Sequence, residues 1–220
     1  MCFSASASFV AAAVTGAAGI ASVARSGDSR DLPLAAVPVF FGVQQAIEGC
    51  LWLTLPVAPM SPEASLLTDA FLIFALVFWP AFAPLVAFLI EPSAARRRLM
   101  IGPLVAGFGV AAYLLWTLAI GDHGASIVDG HIVYENNPGA PFEVGFLYLL
   151  ATAGAPALSS IRAANILAGL VLVGSVVAYV VYTDAFVSVW CFFAAAASAV
   201  ILLHFERARQ TRLATAKPTV

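Results

Sequence analysis

Long apolar stretches, each close to the length that crosses a lipid bilayer, limit most strongly how this chain can fold. A helix needs about 20 apolar residues to span the hydrocarbon core. The sequence has seven such stretches, separated by short breaks that carry glycine, proline or charged residues. They predict membrane helices over residues 5–24, 32–56, 66–90, 99–120, 142–160, 163–182 and 184–205.

The composition of the whole chain also indicates an integral membrane protein. The 220 residues are 62% hydrophobic and 10% charged, whereas a soluble domain is about one quarter charged. We therefore predict an all-α bundle of seven transmembrane helices over residues 1–205, with the lipid bilayer as its surroundings. Residues 206–220 form a basic tail. The start of the chain has no basic segment of the kind found in secretory signal peptides, so we expect no cleaved leader.

The basic residues predict the orientation of this bundle. With seven spans, every Lys and Arg falls on one side of the membrane, in the first, third and fifth loops and in the tail. Loops rich in Lys and Arg stay in the cytoplasm. The N-terminus is therefore predicted outside and the C-terminus inside. An even number of spans would place basic residues on both sides.

The longest break, residues 121–141, has a pattern typical of a β-hairpin. Asp129 and Gly130 lie between two short β-prone runs, and the pair Asp-Gly favours a type I′ turn. We expect a small external hairpin between the fourth and fifth spans, either as a plain connector or as a lid over a pocket. His123 and His131 lie in this loop, where histidines can bind a metal or respond to pH.

Polar residues inside the second span indicate a site. Glu48 lies in the outer half of this span, roughly 10 Å below its outer end. An ionised carboxylate in hydrocarbon is costly, and such residues usually face the bundle interior or a water-filled cavity. Four side chains at helical spacings share its face: Gln44, Gln45, Glu48 and Trp52.

A second polar stripe is predicted on the last span, where Asp184, Ser188 and Cys191 share a helical face. If the second and last spans are neighbours, Glu48 faces Ser188 or Cys191. Three interpretations of Glu48 stay open. It is a protonated structural acid, a carboxylate that binds a ligand or a proton, or a metal ligand or catalytic acid–base group.

Three functional hypotheses follow, and the sequence does not decide whether the protein is an enzyme. The first is a protein that binds or transports a small molecule or a proton in an outward-facing pocket centred on Glu48. The second is a metal-dependent, hydrolase-like intramembrane enzyme, and the third is a structural subunit, with an oligomer compatible with each. The candidate pocket residues are Glu48, Gln44, Gln45, Trp52, Asp69, Asp184, Ser188 and Cys191. The candidate ligands of a divalent metal, zinc first, are Glu48, Cys191, Cys2, His123 and His131.

Several classes of function are excluded by residues that the sequence lacks. No lysine lies in any predicted span, which excludes a retinal Schiff base on the last helix. The phosphate-binding pattern G-x-x-x-x-G-K-[ST] is absent, so we expect no nucleotide cofactor. The net charge of −2, without a patch of arginines interleaved with aromatics, argues against a nucleic-acid partner.

Three patches of the sequence resemble a family of uncharacterised bacterial membrane proteins. They are the start MCFSASASF, the second-span run GVQQAIEGCLWL and the last-span run VWCFFAAAASAVILLHF. The resemblance implies a multi-pass protein of the bacterial inner membrane but no activity. The residues that it emphasises are Cys2, Gln45, Glu48, Trp190, Cys191 and His204.

A looser likeness, in architecture alone, is to the ceramidase and adiponectin-receptor-like membrane hydrolases. Those proteins have seven helices with the N-terminus outside and hold zinc with three histidines. The last span of this chain has a single histidine, His204, where that family has a pair. This departure weighs against the hydrolase hypothesis.

Overall fold

Helices make up 82% of the residues that the structure describes. The computed structural model describes residues 4–137, 140–181 and 186–215. Within these ranges there are seven helices. They are α1 (Ala5–Arg25), α2 (Leu32–Thr54), α3 (Pro62–Ile90), α4 (Ala94–Ile120), α5 (Phe142–Ala157), α6 (Arg162–Val181) and α7 (Phe186–Thr215).

Four of the described helices are long and apolar enough to cross a membrane: α1, α2 with the short turn before it (Ser29–Thr54), α3 and α4. Helix α5 and the portion of α6 up to Val177 are apolar but shorter. These helices support a membrane protein. The seven-span arrangement and its orientation stay predictions, although each predicted span overlaps one helix.

Serine caps explain where three of the helices begin. Ser4, Ser61 and Ser93 precede α1, α3 and α4, and each hydroxyl accepts a hydrogen bond from a backbone N–H in the first helical turn. Helix α3 therefore starts at Pro62, four residues before the predicted apolar span. The cap and a proline in the first turn, rather than the beginning of the apolar run, set that boundary.

Small residues bring α1 and α2 into close contact. A Cβ atom added at Gly42 would lie 3.0 Å from the backbone nitrogen of Gly16 and 3.1 Å from the carbonyl oxygen of Ala12. The two backbones can approach this closely because neither carries a bulky side chain at the crossing. The small residues Ala12, Gly16 and Gly42 therefore allow the close packing of α1 against α2.

Helix α3 contains a π-helical turn over Ile73–Phe78, just before Pro80. In this turn the Trp79 N–H donates to Phe74 O and not to Ala75 O, its acceptor in a regular α-helix. Pro80 has no N–H, so the backbone leaves Ala75 O without a donor. The hydroxyl of Tyr148 on α5 donates to Ala75 O instead, at 2.7 Å. A second π-helical turn, Leu150–Gly154, follows in α5, so two irregular helices join here.

A two-stranded antiparallel hairpin connects α4 and α5, as predicted. Strand β1 (Asp122–Val128) pairs with β2 (His131–Asn137). Both turn residues have positive φ, 48° at Asp129 and 76° at Gly130, which a type I′ turn requires. The Asp-Gly pair therefore determines the position of the turn.

The hairpin covers one end of the bundle. Its Ile132 is fully buried in a cluster with Leu51 of α2, Leu55 directly after α2, and Phe71 of α3. The Tyr134 and Phe71 rings stack in parallel with centroids 4.3 Å apart. We call this end the hairpin end.

The described basic residues lie at the other end of the bundle, in the helix ends and the loops between them. Arg25 at the end of α1 pairs with Glu206 on α7 at 2.6 Å. Arg96 at the start of α4 donates to the Leu158 carbonyl in the α5–α6 loop at 2.9 Å. We call this end, formed by residues 25–31, 91–98, 158–162 and 206–212, the basic end.

Candidate functional site

Three polar side chains of α2 are buried inside the bundle. Gln44, Gln45 and Glu48 are 1%, 2% and 0% exposed. They lie in a helix that is long and apolar enough to cross a membrane. Polar groups at such depth are rare, and they usually face a bundle interior or a cavity. The residues predicted as the centre of the pocket thus lie together in the interior.

The carboxyl group of Glu48 lies beside the amide of Gln45. The Gln45 Nε2 donates to Glu48 Oε2 at 3.4 Å, which is long for a hydrogen bond of this type. Both residues belong to α2 and lie three positions apart, so the helix itself holds them together. Gln45 therefore orients one oxygen of the acid.

Gln44 turns toward a different helix. The indole Nε1 of Trp79 on α3 donates to Gln44 Oε1 at 2.7 Å, and the Trp79 ring stacks on Phe41 with centroids 4.1 Å apart. Sequence reasoning missed Trp79 as a partner. A tryptophan near mid-span is a usable signal, because a buried indole N–H normally finds an acceptor.

Trp52 lies one helical turn beyond Glu48, toward the hairpin. Its ring packs against the apolar cluster under the hairpin. The indole Nε1 is buried and has no hydrogen-bond partner among the described residues. An unpaired buried donor costs about 1–3 kcal/mol, so Trp52 presents an N–H that a bound molecule could use.

Asp69 and His123 join the hairpin to α3. The His123 Nε2 and Asp69 Oδ1 are 2.5 Å apart, with the side chains 22% and 46% exposed. The sequence placed these two residues in different candidate roles, one in the pocket and one as a metal ligand. The structure pairs them with each other near the rim, where they tie the hairpin down.

The remaining candidates on the last span stay predictions. Asp184 lies outside the described residues, as do the side chains of Ser188 and Cys191. The backbone of α7 lies against both α2 and β2. Helices α2 and α7 are therefore neighbours, which the predicted approach of Glu48 to Ser188 or Cys191 requires.

The proposed metal ligands do not form a cluster in the described part of the chain. Among those residues no group of three His, Cys, Asp or Glu side chains could hold a metal ion. Cys2 lies outside the description, as does the Cys191 side chain. The metal hypothesis stays a prediction that needs these two cysteines.

A second buried acid, Glu91, was not singled out by sequence reasoning. It follows α3 at the basic end and is 2% exposed. Its Oε1 accepts from Ser93 N at 3.0 Å and from Ser160 Oγ at 2.9 Å. Its Oε2 accepts from Ser159 Oγ at 2.9 Å and from Ser160 N at 2.6 Å. The sequence does contain a signal for this contact, because an acid lies at one break between helices and the pair Ser159-Ser160 lies at another.

These donors determine the ionisation of Glu91. Burial alone raises the pKa of a carboxyl group, but the hydrogen bonds from Ser160, Ser93 and Ser159 outweigh it and hold the pKa of Glu91 below its ordinary value. Glu91 is therefore an anion whose hydrogen bonds connect the α3–α4 junction to the α5–α6 junction. We call this arrangement the Glu91 clasp.

Comparison with known proteins identifies a family without identifying an activity. Residues 1–217 match the family of unknown function DUF6629, so the chain belongs to that family. No curated protein and no solved structure matches the chain. The predicted likeness to an uncharacterised family is confirmed, whereas the likeness to ceramidase-like hydrolases finds no support.

Proposed function

We propose that this member of the DUF6629 family is a seven-span protein of the bacterial inner membrane that binds or transports a small polar molecule or a proton. In this proposal the hairpin end faces outside and the basic end faces the cytoplasm. Two observations support it: four helices have the length and apolarity of membrane spans, and the described arginines lie at the end opposite the hairpin, as the positive-inside rule requires.

The burial of Glu48 with Gln44 and Gln45 carries the proposal. Three polar side chains within two turns of one membrane span are expensive to keep in an apolar bundle. A structural subunit needs no such cluster, and apolar residues would pack α2 against its neighbours equally well. A site that takes a proton or a polar ligand uses all three groups.

Each described residue of the site has a distinct role in this proposal. The Glu48 carboxyl group holds or releases the proton, or bonds the ligand, while the Gln45 amide orients it. Trp79 fixes Gln44, and the Trp52 indole N–H donates to the ligand from the side of the hairpin. The hairpin covers the entrance and is held there by the Asp69–His123 pair.

Labelling with a carbodiimide tests whether Glu48 is an accessible acid. Dicyclohexylcarbodiimide adds to protonated carboxyl groups in apolar surroundings. We expect mass spectrometry to locate an adduct on Glu48, formed faster at low pH than at high pH. Glu48→Asp should keep the adduct at this position and Glu48→Gln should lose it. A wild-type protein that remains unlabelled at Glu48 across the pH range would make this residue a sealed structural acid.

A thermal-shift screen then searches for the ligand. A ligand that binds the folded state raises its stability by about 2.7 kcal/mol at 100 times its Kd. We expect small polar molecules or cations that bind the site to raise the Tm of the wild type and not that of Glu48→Gln. A compound that raises both equally binds elsewhere.

A further inference from the structure

The basic end contains a cleft that lies apart from Glu48. Its volume is about 510 Å³. The turn before α2 forms one wall, and the end of α3 with the start of α4 forms the other. Residues that bear on its chemistry are Asp28, Arg30, Asp31, Leu89, Glu91 and Arg97.

The cleft presents both charges to solvent. Arg30 and Arg97 are exposed, and neither makes an ion pair within the described residues. Asp28 is exposed and accepts from the Arg30 N–H at 2.9 Å. Asp31 makes no capping hydrogen bond to α2. Two guanidinium groups and two carboxylates are therefore available to a ligand.

Glu91 contributes a negative charge to the cleft but does not itself bond a ligand. Each of its oxygens already accepts two hydrogen bonds, so it has little capacity for another donor. Together the carboxylates of Asp28, Asp31 and Glu91 carry more charge than the two arginines in the lining. A simple anion is therefore disfavoured, and a simple cation leaves both arginines unmatched. A molecule that carries both charges matches the lining.

The position of the cleft indicates where such a molecule comes from. Two helices long and apolar enough to cross a membrane, α2 and α3, begin and end at its walls. Leu89 in the wall is 44% exposed, which gives the cleft an apolar surface on the side of the helices. The ends of helices of this length reach the headgroup layer of a bilayer, so a charged cleft there meets lipid headgroups.

We propose that this cleft binds the headgroup of a zwitterionic phospholipid with a primary ammonium group, of the phosphatidylethanolamine type. Arg30 and Arg97 bond the phosphate, for which the guanidinium fork is well suited. Asp28 and Asp31 accept from the ammonium group, and Leu89 contacts the upper acyl chain. A primary ammonium donates hydrogen bonds, whereas the quaternary group of phosphatidylcholine cannot.

Native mass spectrometry of the full chain in detergent tests this site. The probes are phosphatidylethanolamine, phosphatidylcholine and phosphatidylglycerol with identical acyl chains. We expect phosphatidylethanolamine to bind most tightly, and Arg30→Gln or Arg97→Gln to weaken it about fivefold each. Arg98→Gln, an exposed neighbour outside the cleft lining, should leave binding unchanged. Asp31→Asn should remove the preference over phosphatidylcholine.

Three results would overturn the proposal. Phosphatidylglycerol binding as tightly as phosphatidylethanolamine would reduce the cleft to a general basic surface. Equal losses in Arg98→Gln and Arg97→Gln would do the same. Full displacement of the lipid by millimolar phosphoethanolamine would assign the cleft to a soluble zwitterion. Thermal unfolding of each variant checks its fold, and the exposed arginines can be replaced without loss of buried contacts.

Discussion

Glu48 and Glu91 are both almost completely buried, 0% and 2% exposed, yet they lie in different surroundings. Glu91 lies at the basic end, where two loop segments supply four hydrogen bonds to its carboxylate. Glu48 lies within an apolar helix among other polar side chains, with the Gln45 amide at 3.4 Å. Glu91 joins two loop segments, whereas Glu48 belongs to a polar cluster inside α2.

This difference separates a structural acid from a candidate functional one. Backbone N–H groups and serine hydroxyls at chain breaks can stabilise an anion without any ligand. Polar side chains inside a helix that is apolar enough to cross a membrane are rare, and they usually mark a functional site. We therefore expect substitutions of Glu91 to change stability, and substitutions of Glu48 to change binding.

The largest expected effect is the loss of stability in Glu91→Ala. Its removal leaves the buried hydroxyl of Ser159 without its acceptor and breaks two part-buried hydrogen bonds from Ser160. Hydrogen bonds to a charged group are worth about 1.5–3 kcal/mol each. We expect the free energy of unfolding in detergent to fall by about 3 kcal/mol. Glu63→Ala, at an exposed position, should cost under about 1 kcal/mol. Equal losses of unfolding free energy in the two variants would show that Glu91 has no special structural role.

The stability difference between the wild type and Glu91→Ala should also depend on pH. The pKa of Glu91 is lowered in the folded state, so its contribution is complete above the ordinary glutamate pKa, about 4.3. It is lost as the pH falls through the lowered pKa. Unfolding measured between about pH 6 and pH 3 should show the difference shrinking at the acidic end. A constant difference would show that packing and not charge is responsible.

A smaller effect is expected for Trp79→Phe. The substitution keeps an aromatic ring against Phe41 and removes the hydrogen bond to Gln44, which should cost about 1–2 kcal/mol. Trp116→Phe removes an indole that is 57% exposed and should cost less. Thermal unfolding of both variants gives the comparison. If the two losses are equal, the bond to Gln44 contributes nothing specific.

The smallest effect is expected for Asp69→Asn. The Asp69–His123 pair is partly exposed, and such pairs contribute about 0–1 kcal/mol. Global stability should change little, while amide hydrogen exchange in β1 becomes faster because the hairpin loses a tie to α3. Glu135→Gln, an exposed change in β2, provides the control. Unchanged exchange in Asp69→Asn would show that apolar contacts alone hold the hairpin.

Local patterns in the sequence predicted the features that depend on local physics. Asp129 and Gly130 predict the turn because few residue pairs accept two positive φ values. The spacing of Gln44, Gln45 and Glu48 predicts a shared face because the period of a helix is constant. The lengths of the apolar stretches predict the helices because the thickness of the hydrocarbon core is constant.

The contacts between helices could not be predicted in this way. The Trp79–Gln44 bond depends on how α3 is rotated against α2. The Glu91 clasp joins residues 68 and 69 positions apart. The π-helical turn before Pro80 leaves Ala75 O without a backbone donor, and the hydroxyl of Tyr148 that replaces it lies on a different helix, α5. One sequence contains no information on these distances.

An infrared pH titration of the wild type beside Glu48→Gln shows whether the Glu48 carboxyl group exchanges its proton with the bath. We expect the wild type to show a carboxyl C=O band that the variant lacks. This band should decrease as the bath pH rises, while a carboxylate band increases, because the site exchanges protons with one side. A Glu48 band that stays constant at every bath pH at which the protein remains folded would make Glu48 a sealed structural acid, contrary to the proposed function.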